Sequence, residues 1–439
     1  MKEEKNGTTA TPDTPLLVDK GHPDPYIWGS YIALLAVSII ELFSASSQEV
    51  HVGDIYGPII RHAMFLGIGL VIMLGLQRIH FSLLYKAIPV FVLASILLMA
   101  IVFFWGTKIN GVKRALEIGP LMLLPAEFLK LAVALGIAWI LSRSQVKGKR
   151  DVTDQGLYMC LGLVIISSLL LINQGLSNTI LIVGTSIVMM LVGGVSWRKL
   201  GIVALVYATL GGIFFGYKVI AHKDVAPTPE QIELARINQT EVNAVSKDRS
   251  ATWAKRLERH FRLNKYADAI TDENKQEQLS YIAQARGGLT GVGIGNSREN
   301  ARLPLAFSDY IYAIIVEELG IIIAIGVLLL YMFLMGRAGR LAMEFKHTFP
   351  CLLVFGCAMV ICLQALFHIC VVVGVFPVSG QPLPLISKGG TSVLATSIAL
   401  GVMLSASRWA ARSKDSEVAR QELKVLPQEV ANENPVNIR

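Results

Sequence analysis

Apolar positions in this chain neither alternate nor form a one-sided helical stripe. They come in near-continuous runs, at roughly 27–46, 58–77, 83–105, 121–143, 157–172, 174–193, 199–219, 308–336, 349–377 and 388–409. A helical run of about 20 residues crosses a hydrocarbon core about 30 Å thick. The pattern therefore predicts an all-α, polytopic integral membrane protein with ten transmembrane helices. A closed barrel is excluded, because these runs are apolar on all sides. The junction at 172–174 is tight, so spans five and six form a hairpin. Two mostly polar regions, 1–25 and 223–306, interrupt the pattern. The expected organisation is a cytoplasmic tail over 1–26, a membrane domain over 27–410 with a large extracytoplasmic loop at 223–306, and a second tail over 411–439.

Composition narrows this further. Of 439 residues, 53% are hydrophobic and only 16% charged, against roughly 25% charged in soluble domains. That excludes an ordinary soluble enzyme, a disordered chain and a coiled-coil rod. The net charge of +8 does not require nucleic acid, because Lys and Arg mark cytoplasmic loops. With the N-terminus inside, the inner connections hold Arg78 and Lys86; Arg143, Lys147, Lys149 and Arg150; Arg198 and Lys199; Arg337, Arg340 and Lys346; then Arg408, Arg412 and Lys414. The outer connection 47–57 has no Lys or Arg, whereas 106–120 carries Lys108, Lys113 and Arg114 as an exception. Both termini are expected in the cytoplasm. The polar start has no apolar segment of signal-peptide type beside it. Cys160, Cys351, Cys357, Cys362 and Cys370 all lie in apolar runs and are expected to serve packing.

Ionisable groups within spans are costly and mark candidate functional positions. Glu127 and Lys130 stand i and i+3 on one helix and can pair, either to close a helix interface or to serve a site. Asp309 begins span eight, with Glu317 and Glu318 two turns deeper, of which at most one is expected to face a given partner. Arg302 precedes Asp309 by seven residues. His368 sits in an apolar run, as a core histidine or a ligand. Within the long loop, 251–268 reads as a basic amphipathic helix suited to a membrane surface or to solvent. Residues 274–286 read as a helix entering the turn Gly287-Gly288-Leu289-Thr290-Gly291-Val292-Gly293-Ile294-Gly295. Glycines there admit positive φ and close backbone approach, and no strand precedes them, which excludes a Rossmann or P-loop reading. The segment 374–392, with three prolines and four glycines, cannot be a plain helix and offers Ser387, Lys388, Thr391 and Ser392. A polar extracytoplasmic cavity with one placed carboxylate and several cations fits a transporter or an enzyme acting on an anionic lipid-linked substrate. A transporter should show a repeat with broken helices in both halves; only the C-terminal break is visible in sequence.

At these residues the chain resembles the SEDS family, ten-span bacterial enzymes that polymerise peptidoglycan from lipid II. The resemblance covers roughly 28–410. Its first motif is the glycine turn through Gly288, Gly291, Gly293 and Gly295-Asn296-Ser297, then Leu303-Pro304, Ser308-Asp309-Tyr310-Ile311-Tyr312-Ala313 and Glu317-Glu318-Leu319-Gly320. The second is Gly374 to Gly380, Leu383-Pro384 and Ser387 to Ser392. The third is Asn110-Gly111, Arg114, Pro125, Glu127 and Lys130. Departures are Ala115 for the usual Trp, Asn173-Gln174-Gly175-Leu176-Ser177-Asn178 for an acidic motif, Arg302 where apolar groups are frequent, and His368 for an Asn. The Gly-Asn-Ser turn and polar N-terminus resemble the FtsW-like division branch more than the RodA-like elongation branch.

The resemblance implies inverting glycosyl transfer at the outer membrane face, from an undecaprenyl-pyrophosphate donor to a sugar 4-hydroxyl. Asp309 is then the expected general base, since a carboxylate can take the attacking hydroxyl's proton. Lys113, Arg114 and Lys388, with Ser387, Thr391 and Ser392, are the expected substrate contacts. Glu127, Lys130, Gly288, Gly291, Gly293, Gly295, Glu317 and Glu318 are expected to shape the site. A divalent cation, Mg or Mn, could share the leaving-group charge, though no ligand cluster in the sequence specifies one. Expected partners are lipid II, nascent glycan, a class B penicillin-binding protein and other divisome proteins. Lipid II flipping and a scaffolding role in the divisome are the alternatives.

Overall fold

The computed structural model describes residues 22–46, 57–109, 112–118, 121–146, 151–172, 174–221, 259–261, 266, 270–271, 274–300, 302–303 and 306–412. The polar stretch 223–250, most of the expected helix 251–268 and both tails beyond these limits lie outside the described residues.

The chain is a helical bundle. In order, the helices are α1 (Pro25–Ser46), α2 (Gly57–Leu76), α3 (Phe81–Trp105), α4 (Pro125–Arg143), α5 (Asp154–Ile172), α6 (Leu176–Val192), α7 (Trp197–Ala221), α8 (Lys275–Gly287), α9 (Ala306–Asp309), α10 (Ile311–Glu344), α11 (Thr348–Val372) and α12 (Gly390–Arg412). Seven of them, α1, α3, α4, α5, α10, α11 and α12, are long and apolar enough to cross a membrane. The chain is thus a polytopic membrane protein. Helices α2, α6 and α7 lie over the other three apolar runs.

Local sequence sets several ends. Asp24 caps α1, its Oδ1 accepting from the amides of Tyr26 (2.9 Å) and Ile27 (3.1 Å), the usual service of an aspartate at a helix start. Pro125 opens α4, where no amide is needed, and Glu127 lies in its first turn, where the helix dipole favours an acid. The connection between α3 and α4, expected only as a loop, contains the one departure from helix among the described residues' named elements. It is an antiparallel sheet of β1 (Thr107–Ile109), β2 (Val112–Ile118) and β3 (Leu121–Leu123), in that order. Thr107, Ile109, Val112 and Ile118 are β-branched and suit strands.

Helix α4 stands at the centre. Sixteen of its 19 residues are buried, so it meets protein rather than lipid on nearly every side. One apolar cluster joins it to α1, α2, α3, α10, α11 and α12, and a second joins it to α5, α6 and α7. The ends of the helices gather on two sides. On one, Arg337 Nε donates to Asp24 Oδ2 at 2.7 Å, the Asp24 amide donates to Ser407 Oγ at 3.1 Å, and Ser405 Oγ donates to the Ile79 carbonyl at 2.5 Å. On the other side lie the sheet, α8, α9 and the segment 373–389. There Ser280 Oγ (3.2 Å) and Gln284 Nε2 (2.8 Å) donate to the last carbonyl of α11, that of Val372.

Candidate active site

Asp309 is the last residue of the short α9, and Tyr310 breaks the helix before α10 begins. It therefore does not begin the long helix, as the sequence suggested, and Tyr310 occupies the N-cap position. Ser308 Oγ donates to Asp309 Oδ1 at 2.9 Å. Opposite lies Gly380, with φ of 65°, where a β-carbon would stand 3.1 Å from Asp309 Oδ2. The segment 383–388 fixes the backbone on which the carboxylate rides. Ser387 Oγ donates to the Ser308 carbonyl at 2.7 Å and accepts from the Leu383 amide at 2.7 Å, while the Lys388 amide donates to the Phe307 carbonyl at 2.9 Å. The broken segment after α11 is thus bonded to the chain on either side of Ser308.

The same segment rests on a buried polar network. Lys130 Nζ bonds Glu127 Oε1 at 2.7 Å, Gln364 Oε1 at 2.8 Å and Gln381 Oε1 at 3.2 Å. These three acceptors use all three ammonium donors. Gln364 Nε2 donates to Glu127 Oε2 (3.3 Å) and the Pro382 carbonyl (3.0 Å). Gln381 Nε2 reaches Asn178 Oδ1 at 2.9 Å, and Ser177 Oγ donates to the Ser379 carbonyl at 3.3 Å. His368 Nδ1 meets the Gln381 carbonyl at 2.6 Å, so Nδ1 carries a proton, and its other ring nitrogen is buried without a hydrogen-bond partner. Asn178 and Ser177 thus tie the start of α6 to the segment after α11.

A second device holds the glycine turn. Helix α10 is interrupted at Gly320, φ 83°, and the turn crosses it backbone to backbone. The amides of Val292 and Gly293 donate to the carbonyls of Glu317 (2.9 Å) and Glu318 (3.0 Å), and that of Ile321 donates to the Gly288 carbonyl (3.1 Å). β-Carbons at Gly287, Gly291 and Gly320 would fall 1.9, 2.1 and 2.4 Å from the carbonyl oxygens of Val316, Glu318 and Leu289, so only glycine permits the crossing. Gly288, Gly293 and Gly295 also have positive φ. Both acidic side chains bond residues in or beside this turn. Glu317 accepts from Arg286 Nη1 (3.2 Å), Ser297 Oγ (2.5 Å) and the Arg298 amide (3.1 Å). Glu318 accepts from the Gly295 amide (3.1 Å) and from Ser44 Oγ. Tyr281 on α8 packs against Gly374 and donates to Glu277 at 3.2 Å; burial, then Glu277, pushes its phenol well above the usual range.

The other sequence-selected groups fall around this frame. Thr391 Oγ1 accepts from the Leu124 amide at 3.0 Å, and Ser387 is occupied as described, so both hydroxyls hold the chain. Ser392 is buried beside them. Lys388 is half-buried and lies within electrostatic reach of His62. Lys113 Nζ donates to the Phe104 carbonyl at the end of α3, and its own carbonyl accepts from Gln174 Nε2 at 3.2 Å. Arg114 is half-buried on β2, and Ala115 is fully buried under Gly106. Arg302 Nη1 meets Glu299 at 3.2 Å. Among the described residues, no three His, Cys, Asp or Glu side chains gather as a metal site. Sequence reasoning missed Asp24, Gln381 and Glu41; an acid amid the first apolar run was the available signal for Glu41.

Comparison with known proteins agrees with this frame. A family model described as "Cell cycle protein" (FtsW/RodA/SpoVE) matches residues 26–412. The chain is 29% identical over 414 residues to a probable peptidoglycan glycosyltransferase FtsW of Nitrosococcus halophilus, covering 92% of this chain and 96% of that one. It is 29% identical over 402 residues to stage V sporulation protein E of Bacillus subtilis, covering 89% and 98%. Among solved structures, it is similar to rod shape determining protein RodA of Thermus thermophilus, with TM-score 0.58, 23% identity and coverage of 88% and 97%. A chain from "Structural coordination of polymerization and crosslinking by a peptidoglycan synthase complex" aligns with TM-score 0.63, 23% identity and coverage of 88% and 98%.

Proposed function

Because this chain belongs to the FtsW/RodA/SpoVE family of cell cycle proteins, we propose that it is a peptidoglycan glycosyltransferase of cell division, polymerising lipid II with Asp309 as general base. The observation that carries the base assignment is the seating of Asp309 between Ser308 and Gly380, on a backbone bonded to the segment 383–388. The acceptor's 4-hydroxyl oxygen attacks the anomeric carbon of the donor sugar as the bond to undecaprenyl pyrophosphate breaks. Asp309 takes the hydroxyl proton, and the departing pyrophosphate keeps the bonding pair. One displacement inverts the centre, α to β-1,4. Lys113, Arg114 and Lys388 are the candidate contacts for the growing phosphate charge, which fixed cations stabilise. A Mg or Mn ion would arrive with the pyrophosphate and add to that charge stabilisation.

The reading carries a topology: ten crossings, both termini cytoplasmic, and 223–306 outside in the bacterial inner membrane. The Lys and Arg distribution and the Asp24–Arg337 bond at one end of the bundle support it. A reporter fused at residue 240 should appear outside, and cytoplasmic labelling there would defeat it. A class B penicillin-binding protein is the proposed partner, because the glycan produced must be cross-linked. The interruption at Gly320 favours a second reading, a lipid II transporter, since it gives α10 a broken backbone beside that of 373–389. Purified protein with labelled lipid II separates the two. Glycan chains with free undecaprenyl pyrophosphate support the enzyme; intact lipid II moved across a vesicle with no chains supports the transporter.

A further inference from the structure

Glu41 lies on α1 toward the end that meets the glycine turn. It is 1% exposed, and neither carboxyl oxygen has a hydrogen-bond partner. A buried carboxylate in that condition calls for a proton or a cation. One turn further, Ser44 shares its face. The Ser44 hydroxyl donates to Glu318, and its carbonyl accepts from Asn300 Nδ2 at 3.4 Å. Asn300 is itself buried, and its Oδ1 has no partner. Glu318 lies within electrostatic reach of Glu41. Of the basic groups on neighbouring elements, Arg286 is bonded to Glu317, and the His62 ring meets Ser38, one turn before Glu41 on α1, at 3.1 Å.

Two carboxylates, an amide and a hydroxyl from α1, α10 and the loop after the glycine turn are therefore neighbours, linked through Ser44, and Glu41 and Asn300 carry oxygens without a hydrogen-bond partner. We propose that Glu41, Glu318, Asn300 and Ser44 hold a hard divalent cation that ties α1 and α10 to the loop behind the glycine turn. Oxygen-only donors select calcium, magnesium or manganese over zinc or copper. The site is separate from Asp309 and does not depend on the glycosyl-transfer reading.

The test uses the full chain in detergent, stripped of metal and free of lipid II. Mn²⁺ is titrated by its electron paramagnetic resonance signal, and Ca²⁺ by thermal unfolding. A ligand bound only by the native state raises the midpoint. The expected result is one saturable Mn²⁺ per chain, displaced by Ca²⁺, and a midpoint that rises with either ion. Glu41→Gln should weaken binding by about tenfold or more, because a charged ligand is lost. Its metal-free midpoint should not fall, because neither oxygen is bonded. Asn300→Ala should weaken binding severalfold and serves if Glu41→Gln does not fold. Asp309→Asn should bind normally. Absence of saturable Mn²⁺, unchanged binding in Glu41→Gln, or loss in Asp309→Asn would overturn the site. So would a midpoint that rises on acidification with no response to metal, the signature of a proton held by Glu41 instead.

Discussion

Gly380 faces the Asp309 carboxylate so closely that a β-carbon there would stand 3.1 Å from Oδ2. Gly380 also has φ of 65°, a conformation that costs a residue with a β-carbon about 1–2 kcal/mol. Gly380→Ala should therefore lower thermal stability only modestly while displacing the carboxylate. A shift of about 1 Å can cost about 10²-fold in rate. Glycan formation at matched folding is the measurement; wild-type activity in this variant would show that the Asp309 position is not critical.

Glu127 and Lys130 should behave as one unit. They are joined at 2.7 Å inside the most buried helix, with Gln364 and Gln381 completing the bonds. Removing one partner of a buried pair costs about 3–5 kcal/mol, and removing both can cost much less. Thermal unfolding in detergent of Glu127→Gln, Lys130→Met and the double variant checks this. Strictly additive losses would refute the coupling. Normal stability with lost activity would move Glu127 toward the reacting groups.

The i, i+3 spacing made this pair legible in sequence, as run lengths did the helices. Its closure by Gln364 and Gln381 was not legible, since those residues lie more than 230 positions away. Ser387 and Thr391 show the same limit. A hydroxyl beside a glycine-rich segment reads equally well as a ligand contact or as a bond to the chain, and here both reach backbone groups. The sheet of 107–123 was hidden because β1 and β3 have three residues each and the seven of β2, Val-Lys-Arg-Ala-Leu-Glu-Ile, do not strictly alternate.

Gly320→Ala should be among the most damaging single changes. The added β-carbon would lie 2.4 Å from the Leu289 carbonyl oxygen and 2.5 Å from the Gly291 amide nitrogen, both backbone atoms that cannot rotate away. Left-handed strain adds about 1–2 kcal/mol, and forced packing typically about 1–3 kcal/mol more. The expected signs are a loss of folded protein and early proteolysis between 287 and 300. A variant as stable as wild type would mean that the glycine turn does not need this crossing.

Asp309→Asn bears most directly on the chemistry. The amide matches the carboxylate in size and can still accept from Ser308 Oγ, so the fold and lipid II binding should survive. Helix capping offers no rival account, because the N-cap position of α10 falls on Tyr310. An amide cannot take the acceptor's proton, and general-base catalysis typically contributes about 10²–10⁴-fold. Chain formation should fall by that order while the melting temperature stays near wild type. Comparable glycan from both proteins would remove Asp309 from the mechanism. Glu317 and Glu318 would be poor substitutes: Glu317 is bound by Arg286, Ser297 and the Arg298 amide, and Glu318 by Ser44 and the Gly295 amide. Either would have to release the glycine turn before it could receive a proton from a sugar.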